Sequence, residues 1–200
     1  MKKKLMIALT AVSIAVLFSS CGKIPQAEID AANVAIEAAK TAGADVYVAE
    51  DFAALQDSMR AVNENVEAQN GKLFKNFDKV KEQLVVVTQL AADTKTKTEV
   101  RKEEVKQEVA ALQTEIADLV AQNNELVAQA PKGKEGAAAL EAIKGDIALI
   151  EASQTEVTDL VAADNLMGAL EKSKASKEKA VAINTELSEV IAKYAKNKKR

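Results

Sequence analysis

The sequence predicts an all-α protein: an elongated antiparallel helical bundle of coiled-coil hairpins that share one long central helix. Three observations carry this expectation. Composition is rich in Ala, Val, Glu and Lys, with only seven Gly and two Pro in 200 residues, as in long helices and coiled coils. Apolar residues recur three and four apart along nearly the whole chain after Pro25, the period of a helix with one buried face. From Lys72 to Ala130 there is no Gly and no Pro, so one helix of about 60 residues, roughly 90 Å long, is expected there.

The first helix is expected over residues 26–42. Pro25 suits a helix start, because its φ is fixed and its missing N–H is not needed there. Gly43 is a natural left-handed stop. The apolar residues Ile29, Val34 and Ile36 are diluted by alanines. A connector follows over residues 43–48, where Val46, Tyr47 and Val48 weaken helix preference. The second helix is expected over residues 50–70. Glu50 and Asp51 favour its N-terminus, Phe52, Leu55, Met59, Val62 and Val66 form its stripe, and Asn70-Gly71 ends it.

The long third helix is expected over residues 72–130. Phe77, Leu84, Ala91, Thr98, Val105, Leu112, Leu119 and Leu126 form a column seven apart. A second column starts as Leu73, Val80 and Val87, and a flanking one continues as Val109, Ile116 and Asn123. The change of column is the drift of a straight helix against a seven-residue repeat. Asn123 falls at a seam position, where a polar residue fixes register or partner number at some loss of stability. Between the apolar runs, Asp93 to Glu104 reads DTKTKTEVRKEE, with Val100 its one apolar residue. Two readings stand: a solvated waist or hinge between two bundles, which is favoured, and a binding face for an acidic or mixed-charge partner.

Pro131 to Gly136 supplies one Pro and two Gly between periodic segments, which signals a turn. The helices it joins should be antiparallel neighbours. The next helix is expected over residues 137–163, with Leu140, Ile143, Ile147, Ile150, Gln154, Val157 and Val161 inward. Asp164-Asn165 offers a cap for a last helix over residues 166–196, with Leu170, Ala180, Ile183, Leu187, Val190, Ile191 and Tyr194 as its stripe. Together these two helices match the long one in span, which suits two hairpins laid end to end. Leu73-Phe74-Lys75-Asn76-Phe77 and Leu166-Met167-Gly168-Ala169-Leu170 form a weak two-fold echo.

Composition excludes several kinds of chemistry. The chain has no His, no Trp and one Cys. A zinc or copper site normally draws on Cys or His, and nucleophile pairs of the Ser-His or Cys-His type need the missing imidazole. No metal, no cofactor and no catalytic residue is expected. Asp, Glu, Lys and Arg are spread in helical patterns, as on solvated faces. The formal charge is −3, the opposite of a nucleic-acid footprint, so no nucleic-acid partner is expected.

The N-terminus carries the sharpest signal. Lys2, Lys3 and Lys4 precede an apolar run from Leu5 to Leu17, the plan of a secretory signal. That run is shorter than the ~20 residues needed to span a bilayer. It closes on Ser19-Ser20-Cys21-Gly22. This junction resembles the lipobox of bacterial lipoproteins, in which the cysteine is acylated and the leader is cut just before it. The resemblance implies cleavage between Ser20 and Cys21, lipidation of Cys21, and a membrane partner through the lipid anchor. Residues 1–20 would be the signal peptide, 21–25 the acylated N-terminus and tether, 26–196 the bundle and 197–200 a basic tail. Cleavage would remove the three leader lysines and take the charge from −3 to about −6.

Cys21, Ala32, Ala35, Ala39, Gly43, Ala44, Tyr47, Leu55 and Met59 resemble a pattern in a family of helical envelope lipoproteins built around a domain of unknown function. That family often has Pro after its Tyr-Ala element, where this chain has Val48 and Ala49. The resemblance covers about Ile24 to Gln107 and implies an envelope protein without an enzyme signature. Ile191-Ala192-Lys193-Tyr194-Ala195-Lys196 is similar to the end of the small murein lipoproteins, which join peptidoglycan through a terminal Lys. This chain ends instead in Lys198-Lys199-Arg200. Lys193, Lys196, Lys198, Lys199 and Arg200 are candidates for contact with an anionic surface; the simpler reading is a basic tail complementing the helix dipole. The functional expectation is a non-catalytic structural or interaction role in the cell envelope, lipid-anchored at the outer membrane and facing the periplasm. The alternatives are an adaptor or binding lipoprotein of an assembly or transport machine, and a peptidoglycan-associated lipoprotein. An envelope protein, peptidoglycan or a homo-oligomer are the candidate partners.

Overall fold

The computed structural model describes residues 22–131 and 134–198. The leader, Ser20, Cys21, Lys199 and Arg200 lie outside the described residues, as does the side chain of Lys198. The described chain is all-helical: α1 (Gln26–Thr41), α2 (Ala44–Tyr47), α3 (Ala49–Asn70), α4 (Asp78–Gln129), α5 (Lys134–Ala162) and α6 (Leu166–Lys198). The 52 residues of α4 make an axis about 78 Å long. Its N-terminal half packs with α1 and α3, and its C-terminal half with α5 and α6. The molecule is two three-helix bundles set end to end on one shared helix.

Cross-helix pairs fix the directions. Lys97 meets Asp51 and Gln83 meets Asn65, so α3 runs antiparallel to α4. α1 reverses into α3 through α2 and therefore runs parallel to α4. In the other half, Lys174 meets Glu108, Lys177 meets Glu115, and the Ala180 carbonyl meets Asn123. Both numbers rise together, so α6 is parallel to α4, with α5 antiparallel between them. The last two helices thus do not lie along the whole of α4. The chain reverses at Asp164-Asn165, and α5 and α6 sit side by side on the C-terminal half.

The seam drifts as its period requires. Phe77, Leu84, Ala91, Thr98 and Val105 are buried. After Val105 that column becomes half-buried at Leu112, Leu119 and Leu126, and Val109, Ile116, Asn123 and Ala130 take over as the buried row. Through the polar stretch the seam keeps its spacing with threonines. Thr94 and Thr98 are buried, each hydroxyl donating to the carbonyl four residues back, while Val100 faces out at 55% exposure.

Several boundaries and faces differ from the sequence expectation. α4 starts at Asp78, not Lys72. The Asn76 side-chain oxygen accepts the Asp78 N–H at 2.8 Å, which satisfies a free helix-end donor and starts the helix there. Leu73 consequently falls outside the second column, and it and Phe74 are exposed; the echo with buried Leu166 and Leu170 has no structural counterpart. The connector after Gly43 winds into one helical turn, α2. α1 packs into the first core with Ala32 and Ala39 fully buried and Ile29 and Ile36 partly buried beside them, whereas Val34 is 70% exposed; alanine lets the helix axes approach. α5 begins at Lys134, so Gly136 is helical. An added Cβ there would sit 3.1 Å from the Pro131 carbonyl oxygen. At the far end Val190 and Tyr194 are exposed, although Leu187 and Ile191 on the same helix still pack in the core.

Candidate functional site

Three places bear on function: the waist where the two bundles meet, the end that holds Gly22, and the end where α6 finishes.

The waist is built from α1 upward. α1 ends at Gly43, whose φ of +98° is a conformation that glycine adopts without strain. Its bare backbone also admits the Tyr47 ring, which would lie 3.1 Å from an added Cβ. Tyr47 crosses from the first bundle into the second. It packs against the cluster of Val105, Val109, Val157, Leu166, Ala169 and Leu170. Lys102 of α4 lies over the Tyr47 ring at 5.7 Å from its centroid, a cation–π distance. The same ammonium donates to Asp164 Oδ2 at 2.5 Å. The hydrogen bond to Asp164, with its negative charge, holds the Lys102 amine above its usual pKa, against the opposing effect of burial; Glu99 and Tyr47 add smaller electrostatic contributions.

Asp164 reaches Lys102 because it occupies the left-handed region at φ +58°. That conformation closes the end of α5: the Asp164 N–H donates to the Val161 carbonyl and the Asn165 N–H to the Leu160 carbonyl, satisfying free helix-end acceptors. Asn165 then caps α6, its side-chain oxygen accepting the Gly168 N–H at 3.2 Å. The sequence identified Asp164-Asn165 as a cap. Its partner Lys102 and the role of Tyr47 were missed, since no spacing rule joins residues 47, 102 and 164. The polar stretch is therefore a joint on an unbroken helix: Lys97 and Lys102 bind the first and second bundles, and Lys95, Thr96, Glu99 and Glu103 face outward.

The described residues begin at one end of the molecule, with Gly22. Pro25 is buried and opens α1, and α1 and α3 bring both their outer ends to the start of α4. Residue 22 and the α3–α4 connection over residues 71–77 share this end. Cys21, the sequence-predicted lipidation residue, lies outside the described residues and directly precedes Gly22.

Of the sequence-predicted basic cluster, Lys193 and Lys196 lie at the opposite end, about 80 Å away. Lys193 is exposed and pairs with Glu189 at 3.4 Å, one helical turn back. Lys196 is exposed. Asn197 and Lys198 belong to α6, so the helix runs into the segment read from sequence as tail. Lys199 and Arg200 lie outside the described residues.

Among the described residues no three or more of His, Cys, Asp and Glu gather as a metal site. No described helix is long and apolar enough to cross a membrane. An open groove of about 370 Å³ lies between α5 and α6, bordered by Leu149, Ser153, Gly168, Lys172, Ala175 and Lys179. Comparison with family models, with curated proteins and with solved structures gave no match to the chain.

Proposed function

We propose that this chain is a lipid-anchored rod of the bacterial cell envelope, moored through Cys21 and acting as a non-catalytic structural or interaction element. The observation that carries the reading is the junction Ser19-Ser20-Cys21-Gly22 behind a basic, apolar leader. A helical bundle with Gly22 at one tip supports it, because a tether at residue 21 would leave the long axis free to stand away from the bilayer. More than one acyl chain is needed for stable anchoring, since each buried methylene contributes only about 0.8 kcal/mol. Gly22 rather than an acidic residue after the cysteine supports release to the outer membrane, and no acidic cluster follows that would direct the chain to the cell surface.

In this reading the rod carries Lys193 and Lys196 away from its own bilayer. Their counterpart would be an anionic surface across the periplasm, of which peptidoglycan carboxylates are the candidate. Cys21→Ser tests the anchor: the variant should leave the membrane fraction and appear in the soluble fraction. Its retention in the membrane at the wild-type level would refute the reading.

A second reading, an adaptor for an envelope machine, draws on the α5–α6 groove. Gly168 and Ala175 leave little side chain there, which would let another helix approach. Crosslinking in intact cells separates the two. One reproducible protein partner on α5 or α6 favours the adaptor, and crosslinks only to peptidoglycan or to other copies favour the structural role.

A further inference from the structure

We propose that the α3–α4 connection is a second membrane contact, a Leu-Phe wedge that enters the bilayer interface beside the lipid anchor. The inference rests on the anchored reading above and adds a protein surface to it.

Leu73 is 90% exposed and Phe74 is 88% exposed, the two most exposed large apolar residues of the described chain. They are adjacent, and both stand out from a connection that is itself held in place. Phe77 roots it in the first bundle at 2% exposure. Asn76 receives the Asp78 N–H, and Lys75 Nζ donates to Asn70 Oδ1 at 2.7 Å. One aromatic of the loop is thus buried as its base while the other is presented to the outside. An unpaired apolar pair on a fixed loop suits an apolar partner.

The position selects lipid as that partner. This loop and residue 22 occupy the same end of the rod. Gly22 to Pro25 can span at most about 14 Å when extended, so acyl chains on Cys21 would hold the bilayer surface close to the loop tip. The charge pattern agrees. Lys72 and Lys75 bracket the pair, Lys79 follows on the first turn of α4 and Lys23 lies on the tether; Glu28 in the first turn of α1, Glu67 and Asp78 are acids at the same end. Cations flanking large apolar side chains suit the boundary between anionic headgroups and acyl tails. With the anchor and the wedge engaged together, the rod has two attachment points and a fixed tilt.

The three apolar clusters are built from Ala32 onward, so the chain from Cys21 to Arg200 contains its own cores. The test couples that chain through its one thiol to maleimide-bearing lipid in vesicles of phosphatidylethanolamine and phosphatidylglycerol. Natural acylation is then not required, and its failure would be seen separately by mass analysis of the native protein. The chain has no Trp, so Phe74→Trp supplies a single reporter and Tyr194→Trp a matched reporter at the far end. The expected result is a blue-shifted emission at position 74, quenched by bromine-labelled acyl chains, with position 194 unquenched. In uncoupled chain, Leu73→Ser with Phe74→Ser should lower partition onto these vesicles by about tenfold or more. An unquenched reporter at position 74 would overturn the proposal. So would equal quenching at both positions, the mark of a rod lying flat. A blue shift without quenching, accompanied by a dimer in sedimentation, would also overturn it and assign the wedge to a second copy.

Discussion

Lys102 and Asp164 meet at 2.5 Å across 62 residues of sequence, and the contact ties the shared helix to the α5–α6 turn at the waist of the rod. Lys102 also covers Tyr47, which belongs to the first bundle and packs on the second. A charge pair this exposed on the Asp164 side contributes only about 0.5–1 kcal/mol. Its effect is on coupling rather than on total stability. Lys102→Met keeps the apolar stem and removes the charge. It should lower stability by about that amount and make the halves unfold less cooperatively, seen as a smaller urea m-value or two resolved steps.

The same contact sets an alkaline limit. Its partner holds the Lys102 amine above its ordinary value. A raised amine pKa in the folded state means a contribution present in full below the unfolded value, near 10.4, and lost as pH rises through the folded value. Thermal melting from pH 9 to pH 12 should show an extra loss in wild type above about pH 10.4 that Lys102→Met lacks. Identical pH curves for the two proteins would contradict the assignment.

Gly43 should be the least replaceable glycine described. Its φ is +98° and the Tyr47 ring lies 3.1 Å from an added Cβ. Gly43→Ala is expected to cost about 1–3 kcal/mol. Gly71 has φ −77° and no neighbour nearer than 3.7 Å to an added Cβ, so Gly71→Ala should be neutral or stabilise by about 0.4–1 kcal/mol. Urea unfolding of the two variants checks the contrast.

The waist and the start of α4 show where sequence reading reaches and where it stops. The long helix, its drifting seam, the Asp164-Asn165 cap and Asn123 at a core position were legible, because each is a local pattern or a seven-residue repeat. The start of α4 was not. Leu73 and Phe77 both fit a helical stripe, but the Asp78 N–H donates to the Asn76 side-chain oxygen and the helix starts there, so only Phe77 is buried. On α1, Ile29 and Ile36 pack in the first core as the period requires, but Val34 faces out and the fully buried positions are Ala32 and Ala39, because alanine scores weakly as core. Tyr47 was assigned to a connector, and its pairing with Lys102 depends on how two bundles abut, which no periodicity encodes.

Asn123 is fully buried. Its Nδ2 donates to the Ala180 carbonyl at 2.8 Å, and its Oδ1 has no partner. One unmatched buried oxygen costs about 1–3 kcal/mol, and the bond to α6 fixes the register of two parallel helices. Asn123→Val should therefore raise stability by about 1 kcal/mol while loosening specificity, so that sedimentation shows additional oligomers. A destabilised variant with unchanged oligomeric state would contradict this role.

Gly168 and Asn165 should behave as a coupled pair. A Cβ at position 168 would lie 2.8 Å from the Asn165 oxygen that caps α6. Gly→Ala within a helix ordinarily gains about 1 kcal/mol, and loss of an Asn cap costs about 1 kcal/mol. Gly168→Ala alone should be close to neutral. In an Asn165→Ala background, where no cap remains to be displaced, the full gain should return, and a double-mutant cycle by thermal melting measures the difference.

The reading of this rod as a moored envelope protein depends on the chemistry of Cys21, and intact-mass and peptide mass spectrometry of the protein purified from its native membrane tests it most directly. The account predicts a first peptide that begins at Cys21 and carries fatty acyl groups, with residues 1–20 absent. A first peptide that retains the leader, with an unmodified thiol at Cys21, would contradict it.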